Sequence, residues 1–431
     1  MTLDARHRDA PPGSRDTPAG PTALGDTFVL RMALFYGALF LIYGIHVPYL
    51  PVWLDFKDLT AAEVAVATAA PHFLRLAVTP AAGIVADRDG AHRRLIVILA
   101  WASLVVAAVM SRSSGFAALL LLSATFQITI STIMPLTETI AVSGARMAGH
   151  DYGRMRLWGS ITFIGAGFVA GPLIDLQGPG VIIWLMVAGC VATIAAAHLL
   201  PAQGSQATPT MARPPMRAEA MRLVRSPIFL LYLVATSAAM GSHAMFYTFG
   251  ALHWREHGIS TTWISILWAI GVVFEVALFA ASGSFLRRVG IKGALMLGTG
   301  GAALRWTALA FDPPLWLLVA LAPLHALSYG ATHLGAIHFI SRAVPERASG
   351  TAQAIYSSFA AGVAQGIATL ASGFAYRAFG GYGYLVMSML AVVGLAAAIA
   401  VARLWREGML WQDQPPAHGG EHQPHRPSGA G

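Results

Sequence analysis

Three charged side chains, Arg75, Glu138 and Glu275, stand deep inside stretches that are otherwise continuous and apolar. Each stretch runs for about 20 residues or more, enough for a helix to cross the hydrocarbon core of a bilayer. A charge at that depth costs about 3 kcal/mol or more, and such residues mark substrate or ion paths. The first expectation is therefore a membrane transporter.

The balance of residue types agrees. Hydrophobic residues make up 56% of the chain and charged residues 11%, with a mean hydropathy of +0.61. Soluble domains carry about 25% charged residues. The 431 residues leave room for about twelve helices of ~20 residues joined by short loops. Six spans are expected to begin near Phe28, Ala61, Leu95, Phe116, Leu157 and Val181, and six near Ile228, Thr261, Gly293, Leu315, Gly350 and Tyr384. The expected fold is an all-α membrane protein of twelve transmembrane helices in two pseudo-symmetric six-helix bundles, residues 28–201 and 228–404. Residues 202–227, rich in Pro, Gln, Thr and Arg, have a linker composition. Residues 1–27 lack the apolar core of a signal peptide and read as a disordered cytoplasmic tail, as do residues 405–431. His418, His422 and His425 in the second tail read as solvated rather than metal-binding.

Arginine placement orients the chain. Arg88, Arg93 and Arg94 follow span two, Arg146, Arg154 and Arg156 follow span four, and Arg213 to Arg225 fill the linker. Arg287, Arg288 and Lys292 follow span eight, whereas the alternate loops are poor in positive charge. The positive-inside rule then places both termini in the cytoplasm, with the chain multi-pass in the cytoplasmic (inner) membrane. The net charge of +8 is scattered over helix ends, so no nucleic acid partner is expected. The single cysteine, Cys190, excludes an intrachain disulfide and a cysteine metal site. No phosphate-binding loop, H-E-x-x-H or nucleophile elbow is present, which argues against direct use of ATP and against an enzyme.

The halves resemble each other. Gly83-Ile-Val-Ala-Asp87-Arg88-Asp89-Gly90 after span two is matched by Gly283-Ser-Phe-Leu-Arg287-Arg288-Val289-Gly290 after span eight, 200 residues on. Arg75 and Glu275 fall at the same offset, so they occupy equivalent depths. Parallel repeats of this kind hold their site near the midplane, between the halves.

The stretch Gly83 to Arg94 is similar to the loop signature G-x-x-x-D-R-x-G-x-x-R-R of the major facilitator superfamily. Within that superfamily the chain resembles the lactose permease group, most closely its phenylpropionate permease branch. The resemblance is carried by Val47-Pro48-Tyr49-Leu50-Pro51-Val52-Trp53-Leu54, Pro135-Leu136-Thr137-Glu138, Tyr152-Gly153-Arg154-Met155-Arg156-Leu157-Trp158-Gly159-Ser160 and Leu324-His325-Ala326-Leu327. It implies that Glu138 and Arg156 grip the substrate, and that Arg305 and His325 inherit binding and coupling roles. Ser328 stands where that group has its helix-ten glutamate, and its helix-eight glutamate falls near Val272, one turn before Glu275. The resemblance also implies that Gly83, Asp87, Arg88 and Gly90 latch helix ends in one conformational state, and that the transporter works as a monomer.

The residues themselves add further readings. Gln127, Ser131, Met134 and Glu138 share one helical face, and an ion pair of Glu138 with Arg156 is one outcome. Glu275 can shed its charge by taking a proton, so Glu275, Glu138 and His325 are the candidates for proton coupling. Arg75 can hold a substrate carboxylate or be the counter-ion of Glu275. His325, Tyr329 and His333 form a stripe, while Tyr36, Tyr43, His243 and Trp268, with Phe246 and Tyr247, can line an aromatic pocket. The expected function is proton-coupled symport of a small organic solute, an aromatic carboxylate first, using the proton gradient and no cofactor. A sugar or nucleoside symporter, a proton-driven exporter and a non-transporting sensor are the alternatives.

Overall fold

The computed structural model describes residues 23–201 and 217–411; most of the two tails and of the linker, including His418, His422 and His425, lie outside the described residues. A dry bilayer core offers no water to backbone N–H and C=O groups, so a spanning chain must satisfy them internally. Accordingly the described residues contain helices, turns and no strand. In chain order the helices are α1 (Ala23–Phe56), α2 (Ala61–Asp89), α3 (His92–Arg112), α4 (Phe116–Ala148), α5 (Tyr152–Gln177), α6 (Val181–Leu199), α7 (Arg217–Arg225) and α8 (Pro227–Gly241). They continue as α9 (Ala244–Glu256), α10 (Thr261–Ala280), α11 (Ser282–Leu309), α12 (Leu315–Leu321), α13 (Thr332–Ala343), α14 (Glu346–Ser357), α15 (Gln365–Phe379) and α16 (Tyr384–Leu404). Two wide π-type stretches, Ala326–Ala331 and Ser358–Ala364, join α12 to α13 and α14 to α15.

Among the described residues, ten helical segments are long and apolar enough to cross a membrane. The expectation of twelve differs from this number for two reasons. Glu346–Leu404 forms one 59-residue helical run, with a short tight turn at Gly380–Gly383 inside it. Ser282–Leu309 is not among the ten, and it carries Arg287, Arg288, Lys292 and Arg305. Large apolar side chains point outward along these segments, including Leu176, Phe374 and Met389. Such a surface is stable only against lipid.

The sequence repeat is also a repeat of backbone conformation. Asp58 and Gly258 both have positive φ (62° and 79°), as do Gly90 and Gly290 (59° and 68°). Between these turns, Thr60 caps α2 by accepting the Glu63 N–H, and Ser260 caps α10 by accepting the Trp263 N–H. Each pair is 200 residues apart, so α2 and α10 start in register, and the glycine that ends α2 has its counterpart at the kink inside α11.

Helices α1–α6 pack on one another, chiefly α1 on α5 and α6, α3 on α4 and α6, and α2 on α4. Later in the chain α16 packs on α8 and α11. The two sets meet where α2 touches α15, α5 touches α10 and α1 touches α9. These meetings are sealed at one end. Asp175 accepts the Thr261 and Thr262 N–H groups at 2.7 and 2.9 Å, and Tyr49 O–H shares a 2.6 Å bond with Ser265. A Cβ on Gly171 would lie 2.6 Å from Ser265 Oγ and 2.8 Å from the Thr261 oxygen, so α5 and α10 touch through backbone there.

Burial fades toward the opposite, arginine-bearing end. In α2, Val64, Ala65, Ala67 and Ala69 are buried, but no residue is from His72 to Val85. In α10 the buried residues run from Thr261 to Gly271 and stop there. The space between the halves is thus closed beside the Asp175–Thr261 cap and opens toward the arginines. Gly171→Ala is expected to destabilise the fold by about 1–3 kcal/mol by overpacking this closed end, read as a lower melting temperature in detergent.

Candidate functional site

A cavity of about 500 Å³ lies where α1, α2, α4 and α5 face α9, α10, α11 and the His325 and Gln365 regions. That volume suits a small organic molecule. Glu275 and three guanidinium groups, Arg75, Arg156 and Arg305, line it, with Tyr43, Phe246, Tyr247, Trp268, His325 and Tyr329 among its other walls.

Its most constrained part is a chain of three side chains. Arg305, only 4% exposed, places Nη1 3.1 Å from His325 Nδ1. On the far side of the ring, His325 Nε2 lies 3.2 Å from Glu275 Oε2. A guanidinium only donates, so Nδ1 accepts, and in the neutral ring the proton then sits on Nε2 and is donated to the carboxylate. The hydrogen bonds therefore run in one direction, from Arg305 through His325 to Glu275. Gly271, one turn before Glu275, makes room for the ring: a Cβ there would stand 3.2 Å from His325 Cβ. The Arg305 guanidinium lies 4.4 Å over the Phe246 ring and 4.8 Å from that of Trp306, contacts that favour a desolvated cation. The π-type stretch beginning at Ala326 directly follows His325; such widened turns recur at functional sites.

Arg75 takes a place other than that of counter-ion to Glu275. Its Nη2 donates to the Ala361 carbonyl at 2.8 Å, and His72 Nδ1 donates to the same oxygen at 3.2 Å. Both donors on α2 thus hold a main-chain atom of the other half, within the second π-type stretch. A guanidinium has five N–H groups, so Arg75 keeps donors for the cavity it lines.

Nor do Glu138 and Arg156 form the ion pair that their spacing suggests. Glu138 accepts from Tyr152 O–H at 3.2 Å, and the Arg156 guanidinium lies 4.2 Å over the Phe40 ring. Gln127 and Ser131 reach the cavity, but Glu138 on the same face of α4 is not in its lining. One face of a helix crosses several depths, and Glu138 lies nearer the arginine-bearing end.

The aromatic wall exists, built chiefly by Phe246 stacked on Trp268 at 4.9 Å, with Tyr247 beside them at 5.8 Å. Tyr43 donates to the Ile130 oxygen at 3.1 Å and lines the cavity. Tyr36, His243 and His333 do not line it. Tyr36 is fully buried against Tyr152, in edge-to-face contact at 6.5 Å. His243 is also fully buried behind the wall, where Nδ1 donates to the Ala239 oxygen and Nε2 accepts from Ser328 O–H at 3.1 Å. His333 stacks on Tyr329 on the side toward the arginine-bearing end.

In the signature loop Asp87 meets His92 at 3.1 Å within its own half, and Gly90 ends α2 with a positive φ. A Cβ on Gly83 would meet open space. His46 and Gln365, which also line the cavity, were absent from the sequence expectations. His46 was detectable there, because Phe40, Tyr43, Val47 and Leu50 define the lining face of α1 and His46 follows Tyr43 by three residues.

A family model described as "MFS_1 like family" matches residues 29–385. The chain is 28% identical over 364 residues to the "Probable 3-phenylpropionic acid transporter" of Escherichia coli (strain K12), covering 84% of this chain and 94% of that protein. It is 30% identical over 379 residues to the "Maltose permease" of Geobacillus stearothermophilus, covering 86% and 93%. The crystal structure of the nucleoside transporter NupG superposes with a TM-score of 0.76 over 87% of this chain and 99% of that one. At 17% identity this last likeness concerns the fold alone. The resemblance carried by the Gly83–Arg94 signature is thereby borne out.

His325→Ala removes the centre of the three-residue chain and leaves a buried guanidinium and a carboxylate without their partner. It is expected to cost about 3–5 kcal/mol of stability, measured by denaturant or thermal unfolding, with part recovered by adding Glu275→Gln.

Proposed function

The chain belongs to the MFS_1 like family of membrane transporters, and from that premise we propose that it is a proton-coupled symporter of a small organic acid carrying an aromatic or apolar body. The observation that supports this best is the charge of the cavity: three guanidinium groups face it with one carboxylate, beside a wall of Phe246, Tyr247 and Trp268. An excess of fixed N–H donors calls for an anionic guest, and arginine grips a carboxylate with two parallel bonds. The relative described as a probable 3-phenylpropionic acid transporter points to the same chemistry.

In this reading Arg75 and Arg156, on opposite walls from the three-residue chain, hold the substrate carboxylate. Glu275 carries the proton. While ionised it accepts a charge-assisted bond from His325; once protonated it accepts only a weaker neutral one, which loosens His325 and Arg305 to reorient. Loading of the cavity and protonation of Glu275 are then linked through one hydrogen-bonded path. The halves, residues 28–201 and 228–404, rock about the cavity, with Gly83, Asp87, Arg88 and Gly90 engaging when the arginine-bearing end closes. The protein acts as a monomer in the inner membrane with both termini in the cytoplasm, and the proton gradient is its only energy source. Glu138, outside the cavity lining in this conformation, serves the closing of α4 against α5.

A second reading, a sugar or nucleoside symporter, is favoured by the 30% identity to a maltose permease. Uptake of labelled 3-phenylpropionate and of labelled maltose or uridine into proteoliposomes, with an inward proton gradient and an uncoupler control, separates the two. Uncoupler-sensitive accumulation of the aromatic acid alone is the expected result; accumulation of the sugar or nucleoside alone overturns it.

Glu275→Gln is expected to retain exchange of bound solute and to lose uphill uptake; intact uphill uptake would remove Glu275 from the coupling role. Arg156→Gln is expected to raise the KM for an anionic substrate by about tenfold or more, the loss of one charge-assisted hydrogen-bonded contact of roughly 1.5–3 kcal/mol, with little change for a neutral solute.

A further inference from the structure

At the closed end, away from the transport cavity, two histidines and an aspartate converge. His253 and His257 are one turn apart at the end of α9, and Asp312 lies in the turn before α12. His253 Nε2 is 2.6 Å from Asp312 Oδ1, and His257 Nε2 is 3.8 Å from Asp312 Oδ2. All three candidate ligand atoms lie within 4.8 Å of one another. Ligands around a tetrahedral zinc ion at about 2.0–2.1 Å stand roughly 3.3 Å apart, which these separations bracket.

The hydrogen bonds behind the rings decide what they offer. His257 Nδ1 donates to the His253 carbonyl at 2.8 Å, which leaves the Nε2 lone pair free. Tyr376 gives its hydroxyl proton to Glu256 Oε2 at 2.6 Å, and its oxygen lies 3.4 Å from His253 Nδ1. His253 Nε2 donates to Asp312 Oδ1 at 2.6 Å, and a metal ion would take the place of that proton. The free His257 lone pair, the Asp312 carboxylate and His253 Nε2 therefore converge on one point. His257 is oriented as histidines in metal sites are, with its second ring nitrogen bonded to a carbonyl.

Gly381 completes the enclosure. A Cβ on it would lie 2.8 Å from Asp312 Oδ1 and 2.9 Å from His253 Nε2, so the missing side chain keeps the space beside both ligand atoms open. Asp312 itself holds a positive φ of 46°, uncommon for a residue with a side chain.

We propose that His253, His257 and Asp312 bind a divalent transition metal ion of the zinc class. Three protein ligands leave a fourth position for water. The ion ties the end of α9 to the turn before α12, and α9 carries Phe246 and Tyr247 of the cavity wall. Occupancy therefore stiffens one wall of the transport cavity from outside it.

The test uses full-length, untagged protein in detergent, carrying His418→Ala, His422→Ala and His425→Ala so that the tail contributes no ligands. Titration with Co²⁺ is expected to give a visible absorption band that saturates at one ion per chain and is displaced by Zn²⁺. Zn²⁺ is expected to raise the melting temperature by several degrees. His257→Ala, at a half-exposed side chain, and Gly381→Ala, which removes no ligand, are each expected to weaken binding by about tenfold or more. The metal-free melting temperature of His257→Ala should match that of the parent. Absence of a stoichiometric band, or equal binding by the parent and His257→Ala, overturns the proposal and leaves the His253–Asp312 hydrogen bond as the whole of the contact.

Discussion

A charge inside a bilayer is stable only where the protein supplies what water would have given it, and the core of this molecule is arranged around that demand. Arg305, His325 and Glu275 answer it together. The guanidinium donates to the ring, the ring donates to the carboxylate, and none of the three is satisfied without its neighbour. Local features of α9, α10, α11 and the segment between α12 and α13 are tuned to this: a glycine at 271 to admit the ring, Phe246 and Trp306 against the guanidinium, and a widened turn directly after His325. The same demand keeps the acidic partner on one helix and the basic partner on another, so changing the charge of one alters the packing of both.

Much of the architecture was legible in the chain. Long apolar stretches fix helices, arginine clusters mark one side, and the 200-residue repeat marks corresponding turns, now seen as matched positive-φ positions at Asp58 and Gly258 and at Gly90 and Gly290. The number of passages was less legible, because Arg305 and its neighbours lower the apolarity of α11, while Glu346–Leu404 runs as one helical stretch through the turn inside it.

The site was legible as a set of residues but not as a set of pairs. Depth along a helix can be counted, which is why Arg75 and Glu275 stood out. Azimuth and the reach of long side chains cannot, so Arg75 meets a backbone carbonyl instead of Glu275, and Arg156 covers Phe40 instead of reaching Glu138. Burial reassigns the rest. His243 and Tyr36 share periodicity with cavity residues but face away into packed interiors, whereas His46 and Gln365 face the cavity.

The bond from Arg75 and His72 to the Ala361 oxygen has one more consequence. Its two ends differ in how they can be lost. On α2 a single codon change deletes a donor, but at position 361 the acceptor belongs to the main chain and survives every replacement of the side chain. Genetic drift can therefore cut this tether from one half of the molecule only, and a damaged copy can be repaired only there.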